Sequence, residues 1–212
     1  MLKAVIFDID TTLTYETSWW KITRDLGADV KEHERVFDQF KKNIISYFDA
    51  KKHLINLWKR TSNNNKDFFK KIFESVRLKN DAEEIINIIK SKNIIVCLIT
   101  GGVDLYAQII GKRLKISEYY ANTKLIWDEN NILIDFEYDR NQGNKKLSQL
   151  KEFCIKYKVN PIDCFTVGDD ENDIEVFKLT KHGIAVKSPN SYIVEPYAWK
   201  VIKTLSELKE LI

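Results

Sequence analysis

At 212 residues the chain is long enough to bury a substantial core, as one domain or as one domain with a sizeable insertion. Its 34 Lys and Arg are matched by 31 Asp and Glu spread along the chain, so the net charge of +3 describes a mixed solvated surface and argues against a nucleic-acid partner. The 3 cysteines, Cys97, Cys154 and Cys164, lie in or beside apolar segments without Cys-x-x-Cys spacing, which excludes a disulfide framework and a zinc site and fits buried thiols in a reducing cytosol.

The first element, Leu2 to Asp8, is short and rich in β-branched residues, which predicts a buried strand. A chain whose first eight residues already read as a core strand is expected to carry no tripartite secretory leader. No uncharged apolar stretch approaches the ~18 residues of a membrane span, so a cytoplasmic protein with no membrane partner is expected. At the strand's end stand Asp8 and Asp10, in Asp8-Ile9-Asp10-Thr11-Thr12-Leu13-Thr14. Carboxylates beside a buried strand need a partner or a cation, because an unpaired charge in low dielectric is costly or neutralises itself. Asp-x-Asp-x-Thr alone also recurs as an ordinary acidic turn, and distant residues break the tie.

Between Thr14 and about Lys79 the strand signal vanishes. Trp19, Trp20, Ile22, Leu26, Val36, Phe37, Phe40, Leu54, Leu57 and Trp58 recur at helical spacings instead. The pattern predicts a helical insertion over 15–78, with 1–14 and 79–212 forming the main domain. Ser62-Asn63-Asn64-Asn65 reads as its internal turn, and Asn80-Asp81 as the N-cap of a helix carrying Ile85, Ile86, Ile88 and Ile89. Trp19, Trp20 and Trp58 read as bundle core. His33, His53 and His182 have no spacing suited to a metal or a triad and are expected at the surface or its boundary.

A second strand, Ile94 to Thr100, ends in a hydroxyl. Gly101 and Gly102 follow, with backbone amides able to approach an anion just before a helix starting near Asp104. Asn122 to Tyr138 reads as a hairpin, two apolar runs around Asp128-Glu129-Asn130-Asn131. The next helix, with Leu150, Phe153, Cys154 and Tyr157 on its apolar face, opens on two adjacent lysines, Lys145 and Lys146, and its periodicity does not choose between them.

The strand Cys164 to Gly168 runs into Asp169-Asp170-Glu171-Asn172-Asp173, where Asp169 and Asp173 share a face if a helix begins there. Four negative charges so close call for a divalent cation, and hard oxygen ligands point to Mg²⁺. Strands at Gly183 to Val186 and Lys200 to Ile202 complete the chain. Alternation of such strands with amphipathic helices predicts an α/β fold, a Rossmann-like parallel sheet flanked by helices, with ligands at the carboxyl ends of the strands. Asp8, Thr100 and Asp169 all fall at such ends.

In this order the segments resemble the four motifs of the haloacid dehalogenase-like superfamily of aspartate-nucleophile phosphohydrolases. They are Asp8 to Thr14, Leu98-Ile99-Thr100-Gly101-Gly102, a lysine, and Gly168 to Asp173. The family's lysine is followed four positions later by an apolar residue, which selects Lys146 with Leu150 over Lys145 with Gln149. The resemblance implies a Mg²⁺-dependent phosphatase acting on a small phosphorylated metabolite. Asp8 would be the nucleophile and Asp10 the acid and base, with Thr100, Lys146, Gly101, Gly102 and Asn172 around the phosphate. Asp8, Asp169 and the backbone carbonyl of Asp10 would hold the metal, and Asp173 would support its shell and Lys146.

The insertion resembles the helical cap of the subgroup that contains phosphoserine phosphatases, so substrate choice is expected within 15–78. Glu16 stands near the place of that subgroup's substrate-binding glutamate, one residue early, whereas neither Arg35 nor Arg60 matches the pattern of its arginine. Thr11 replaces the Gly or Ser usual after the second Asp. These departures leave the ester open. A phosphomutase would use the same residues. A receiver-type signalling module shares the acidic pocket, Thr and Lys but has no use for Asp10 or for the insertion.

Overall fold

A computed structural model describes residues 1–212. Strand β1 (Ala4–Phe7) is wholly buried, and its alternation decides which side each residue covers. Val5 and Phe7 join a 39-residue apolar cluster, while Ala4 and Ile6 join a 13-residue cluster on the other face. A strand buried on both faces cannot alternate with polar residues, which is why Ala-Val-Ile-Phe reads as a continuous apolar run.

β1 lies at the centre of a seven-stranded sheet ordered β4-β3-β2-β1-β5-β6-β7. The others are β2 (Ile95–Val103), β3 (Glu118–Trp127), β4 (Leu133–Tyr138), β5 (Cys164–Gly168), β6 (Gly183–Val186) and β7 (Lys200–Ile202). Every neighbouring pair is parallel except β3 and β4. The sheet is therefore the Rossmann-like arrangement expected, and β5, β6 and β7 have the bounds read from sequence. The hairpin is present, but β3 starts earlier, at Glu118, and first pairs in parallel with β2 before turning to β4. Glu118-Tyr119-Tyr120 contains no apolar run, and its extended form is held by β2 rather than by its own composition.

Helices α5 (Ala82–Ser91) and α6 (Asp104–Arg113) pack on the Val5 face, and α7 (Gln142–Tyr157) and α8 (Ile174–Thr180) on the Ile6 face. Asp81 occupies the N-cap position of α5 but makes no capping bond. Its Oδ2 accepts from Ser206 N at 2.8 Å instead, because the C-terminal segment packs against that helix.

Residues between β1 and α5 form α1 (Ser18–Asp25), α2 (Val30–Lys41), α3 (Tyr47–Lys59) and α4 (Lys66–Glu74). Their starts carry ordinary caps: Asp29 accepts from Lys31 and Glu32, Ser46 from Asp49, and Asn65 from Phe68. These helices are packed into the main core, since Trp58, Phe69 and Phe73 belong to the same cluster as Phe7 and Leu98. Trp58 is fully buried, whereas Trp19 and Trp20 are only half-buried. His33 departs from expectation: it is 3 % exposed, against Trp20 at 4.2 Å between ring centres. Burial is tolerated because its Nδ1 is hydrogen-bonded to Thr23 Oγ1 at 2.7 Å. No helix is long and apolar enough to cross a membrane.

Candidate active site

The register of the sheet assembles the site. Phe7 pairs with Leu98 on one side and Val167 on the other, so Asp8 and Asp169 stand just past the ends of β1 and β5 beside Thr100. Thr100 does not end its strand as read from sequence: β2 runs on to Val103, its pairing with β3 shifting after Thr100. The Asp8 amide is fixed by Val167 O at 2.9 Å. From α7, Lys146 reaches under the strand ends, and its Nζ lies 2.9 Å from Asp8 Oδ1 and 2.7 Å from Asp173 Oδ1. It is 1 % exposed, and this burial in contact with both carboxylates separates it from its neighbour Lys145.

Asp173 does not reach the site from the face of an α-helix, as its spacing from Asp169 suggested. Residues Glu171–Asp173 form a short 3₁₀ turn, and the Asp173 carboxylate folds back so that Oδ2 accepts from the amides of Asp169 and Asp170 at 3.1 and 3.3 Å. Gly168 makes room for this fold, since a Cβ there would lie 2.3 Å from Asp173 Cγ. Asp169 is held in turn by hydroxyls. Thr12 Oγ1 donates to its Oδ1 at 2.7 Å, and the Thr11 hydroxyl donates to its Oδ2. Thr11 has φ 55, the left-handed conformation that favours glycine, so the turn after Asp10 carries a β-branched residue under strain.

Asp10 points toward α1. Ser18 N and Oγ donate to its two oxygens at 2.9 and 2.7 Å. Burial pushes its carboxyl up to about 6, against the lowering effect of those bonds. Asp8 is also raised well above the carboxylate range by burial, opposed by the Lys146 charge. Burial works against the Lys146 ammonium, yet Asp173 and Asp8 together hold it above the ordinary lysine range. Asp169 is raised by burial despite its hydroxyl partners.

Three carboxylates, Asp8, Asp169 and Asp173, bring one ligand atom each within 4.8 Å of one another, with a single ammonium between them. The set is oxygen-only, buried and under-neutralised, which fits a hard divalent cation. Asp173 spends both oxygens on Lys146 and the loop amides, and Asp169 spends its two on the Thr11 and Thr12 hydroxyls, whereas Asp8 gives only Oδ1, to Lys146. The Asp10 carbonyl faces the same loop, accepting from Thr12 N at 2.7 Å, with Thr11 Oγ1 2.8 Å away sharing its one hydrogen between this carbonyl and Asp169.

Thr100 Oγ1 accepts from Gly102 N at 3.0 Å, so one of the two glycine amides is already engaged and the hydroxyl hydrogen is free to donate. Gly102 faces Asp10, where a Cβ would sit 2.8 Å from Ser18 Oγ. Asn172 lies over Gly101, and its Oδ1 is buried without a partner. Glu16 is bound within the helical segment, 2.7 Å from Arg24 Nη2 and 3.4 Å from Lys21 Nζ. Sequence reading missed Ser18, which orients Asp10. It also missed Gln142, whose Oε1 is 2.9 Å from where a Gly101 Cβ would lie, and half-buried Lys79, which faces the field of Asp169. None stands in a recognisable local pattern; only their separation in space marks them.

The family model for haloacid dehalogenase-like hydrolases matches residues 2–179. The phosphoserine phosphatase of Methanocaldococcus jannaschii is 24% identical over 176 residues, covering 83% of this chain and 81% of that protein. A probable phosphoserine phosphatase of Schizosaccharomyces pombe is 22% identical over 187 residues, and there the match spans 88% of this chain but only 61% of the relative. A solved substrate-bound phosphoserine phosphatase superposes with TM-score 0.78 at 22% identity, over 100% of this chain and 99% of that one. At such identity the likeness carries the fold.

Proposed function

The chain belongs to the haloacid dehalogenase-like hydrolase family, and from that premise we propose that it is a Mg²⁺-dependent phosphatase of a small phosphomonoester, working through an aspartyl phosphate. The observation that carries the reading is the pairing of two carboxylates at one strand end in opposite surroundings. Asp8 lies against Lys146, and Asp10 is turned to Ser18 with its carboxyl held near 6. A lysine on Asp8, and an amide and a hydroxyl on Asp10, support the reading of Asp8 as nucleophile and Asp10 as proton carrier.

In this reading Asp8 Oδ attacks phosphorus, and the bond to the leaving oxygen breaks as Asp10 delivers its proton there. Water then attacks the phosphoryl group on Asp8 as the Asp8 Oδ–P bond breaks and inorganic phosphate leaves, and Asp10 takes the water's proton, which restores both residues. Ser18 fixes the Asp10 carboxyl for both transfers. Lys146 balances the charge beside Asp8, while the Thr100 hydroxyl and Asn172 are placed to meet phosphoryl oxygens. Asp8, Asp169 and the Asp10 carbonyl would hold Mg²⁺, which when bound would supply positive charge to the transferring phosphoryl group. Segment 15–78 serves as a cap that excludes water and contains much of the substrate choice. The free cysteines support a cytosolic setting.

Phosphate release from p-nitrophenyl phosphate, phosphoserine and sugar phosphates, with and without Mg²⁺, tests this. Wild type should turn over at least one ester only with Mg²⁺, and Asp8→Asn should lose at least ~10³-fold, the scale of removing a covalent nucleophile. Turnover that survives in Asp8→Asn would sink the aspartyl-phosphate route.

A further inference from the structure

One buried ionisable side chain beside the reacting centre has no part in the reading above. Tyr106 lies in the first turn of α6, just after Gly101 and Gly102, and is 0% exposed. Its buried neighbours on that helix, Leu105, Ala107 and Ile110, are apolar, and the Phe73 ring of α4 is centred 5.2 Å from its own. A phenol enclosed in this way needs a polar partner, because a hydroxyl buried without one is costly.

The partner belongs to the segment that carries the acid. Tyr106 Oη donates to Thr14 Oγ1 at 3.2 Å, and the Thr14 hydroxyl shares its own hydrogen between the carbonyls of Ile9 and Glu16, each at 3.0 Å. Ile9 precedes Asp10, and Glu16 stands two residues before Ser18, whose amide and hydroxyl hold the Asp10 carboxyl. One hydroxyl therefore ties both ends of the loop that brings Ser18 back onto Asp10, and the phenol fixes that hydroxyl from α6. Thr14 is 0% exposed as well, so these bonds lie in a low dielectric, where they are strong. The phenol also acts on Asp10 directly, favouring its charged form alongside Ser18. Gly102 closes on the same pair, since a Cβ there would lie 2.8 Å from Ser18 Oγ and 3.3 Å from Asp10 Oδ2.

Resting on the phosphatase reading above, we infer that Tyr106 is a positioning residue for the proton transfers of Asp10: its hydroxyl locks the loop from Ile9 to Ser18, so that the Asp10 carboxyl keeps the direction from which it protonates the leaving oxygen. Enclosed by protein, the phenol offers a substrate no surface, and its effect reaches the reaction through Asp10. Loss of the hydroxyl must then weigh on esters whose leaving oxygen needs a proton, and hardly at all on those whose leaving group departs as a stable anion.

The test compares phenyl phosphate with 2,4-dinitrophenyl phosphate on the full chain with Mg²⁺, in wild type and Tyr106→Phe. The ratio kcat/KM covers the steps up to departure of the leaving group, so the later hydrolysis of the phosphorylated enzyme does not enter. Tyr106→Phe should lower kcat/KM for phenyl phosphate by about tenfold, the scale of one hydrogen bond to a charged group, and for the dinitrophenyl ester by less than about twofold. Thr14→Val, close in shape, should show the same split, and it decides the matter should Tyr106→Phe fail to fold. If wild type accepts only phosphoserine or a sugar phosphate, acetyl phosphate replaces the dinitrophenyl ester as the substrate that leaves without a proton, and the same split is expected. Losses alike on both substrates, the mark of a merely structural role, overturn the inference, as does no loss on either. A wild type inactive on every ester sinks the phosphatase reading and this inference with it, whereas an active wild type without the split sinks the inference alone.

Discussion

Lys146 is the residue on which the charges of the site turn. Its ammonium lies between Asp8 and Asp173 with almost no exposure, so each partner depends on it. Removing one member of such a buried set leaves an uncompensated charge, and Lys146→Met should lower stability by ~3–5 kcal/mol as well as abolish turnover. Urea denaturation at pH 7 measures this. A variant as stable as wild type would mean that the two carboxylates gain little from the lysine. Thr11 shows the same principle in another form. A β-branched residue is kept at positive φ because its hydroxyl bridges the Asp10 carbonyl and Asp169, a role no glycine could take.

Among the elements, the packing of α1, α2 and α3 rests on a polar chain in an apolar setting. Trp58 Nε1 donates to Thr23 Oγ1 at 2.8 Å, and the same hydroxyl is hydrogen-bonded to His33 Nδ1 at 2.7 Å, so the buried imidazole has a polar partner inside the core. Burial lowers the His33 pKa from 6.5 to about 4. The unfolded chain takes up a proton near pH 6.5 and the folded chain does so only near 4. His33 therefore costs no stability above pH 6.5, and stability falls as pH drops from 6.5 to 4, by at most roughly 3 kcal/mol. Denaturation midpoints at pH 7 and pH 5 should differ in wild type, and the part due to His33 should vanish in His33→Gln. An unchanged pH slope in that variant would place the titration elsewhere.

For the molecule as a whole, the acidic centre is a focus of self-repulsion that a cation would relieve. Asp8 and Asp169 are both raised by burial, and neither is fully neutralised by the one lysine. A ligand that binds only the folded chain adds stability by mass action, about 2.7 kcal/mol at 100-fold over its dissociation constant. Thermal unfolding should therefore shift upward with Mg²⁺ in wild type and stay fixed in Asp169→Asn. A melting temperature indifferent to Mg²⁺ would remove the metal from the reading.

Much of this protein was legible in its sequence because its chemistry sits at strand ends. An apolar run followed by Asp8 or Asp169 announces both the element and its end, although β2 continues past Thr100 to Val103, and the alternation of strands with helices supplies the sheet. Lys146 could be chosen over Lys145 only through the family resemblance, whose lysine is followed four positions later by an apolar residue, here Leu150. Sequence alone could not place Ser18 on Asp10 or Gln142 over Gly101, since these pairs join segments with no local signature. It also misread Asp173 as a helix-face partner and His33 as a boundary residue. Local patterning determines which segments become strands and helices and which charged groups stand at their ends. Only tertiary packing decides which side chains meet, because hydrogen bonding and burial in the folded core depend on neighbours far away in the chain.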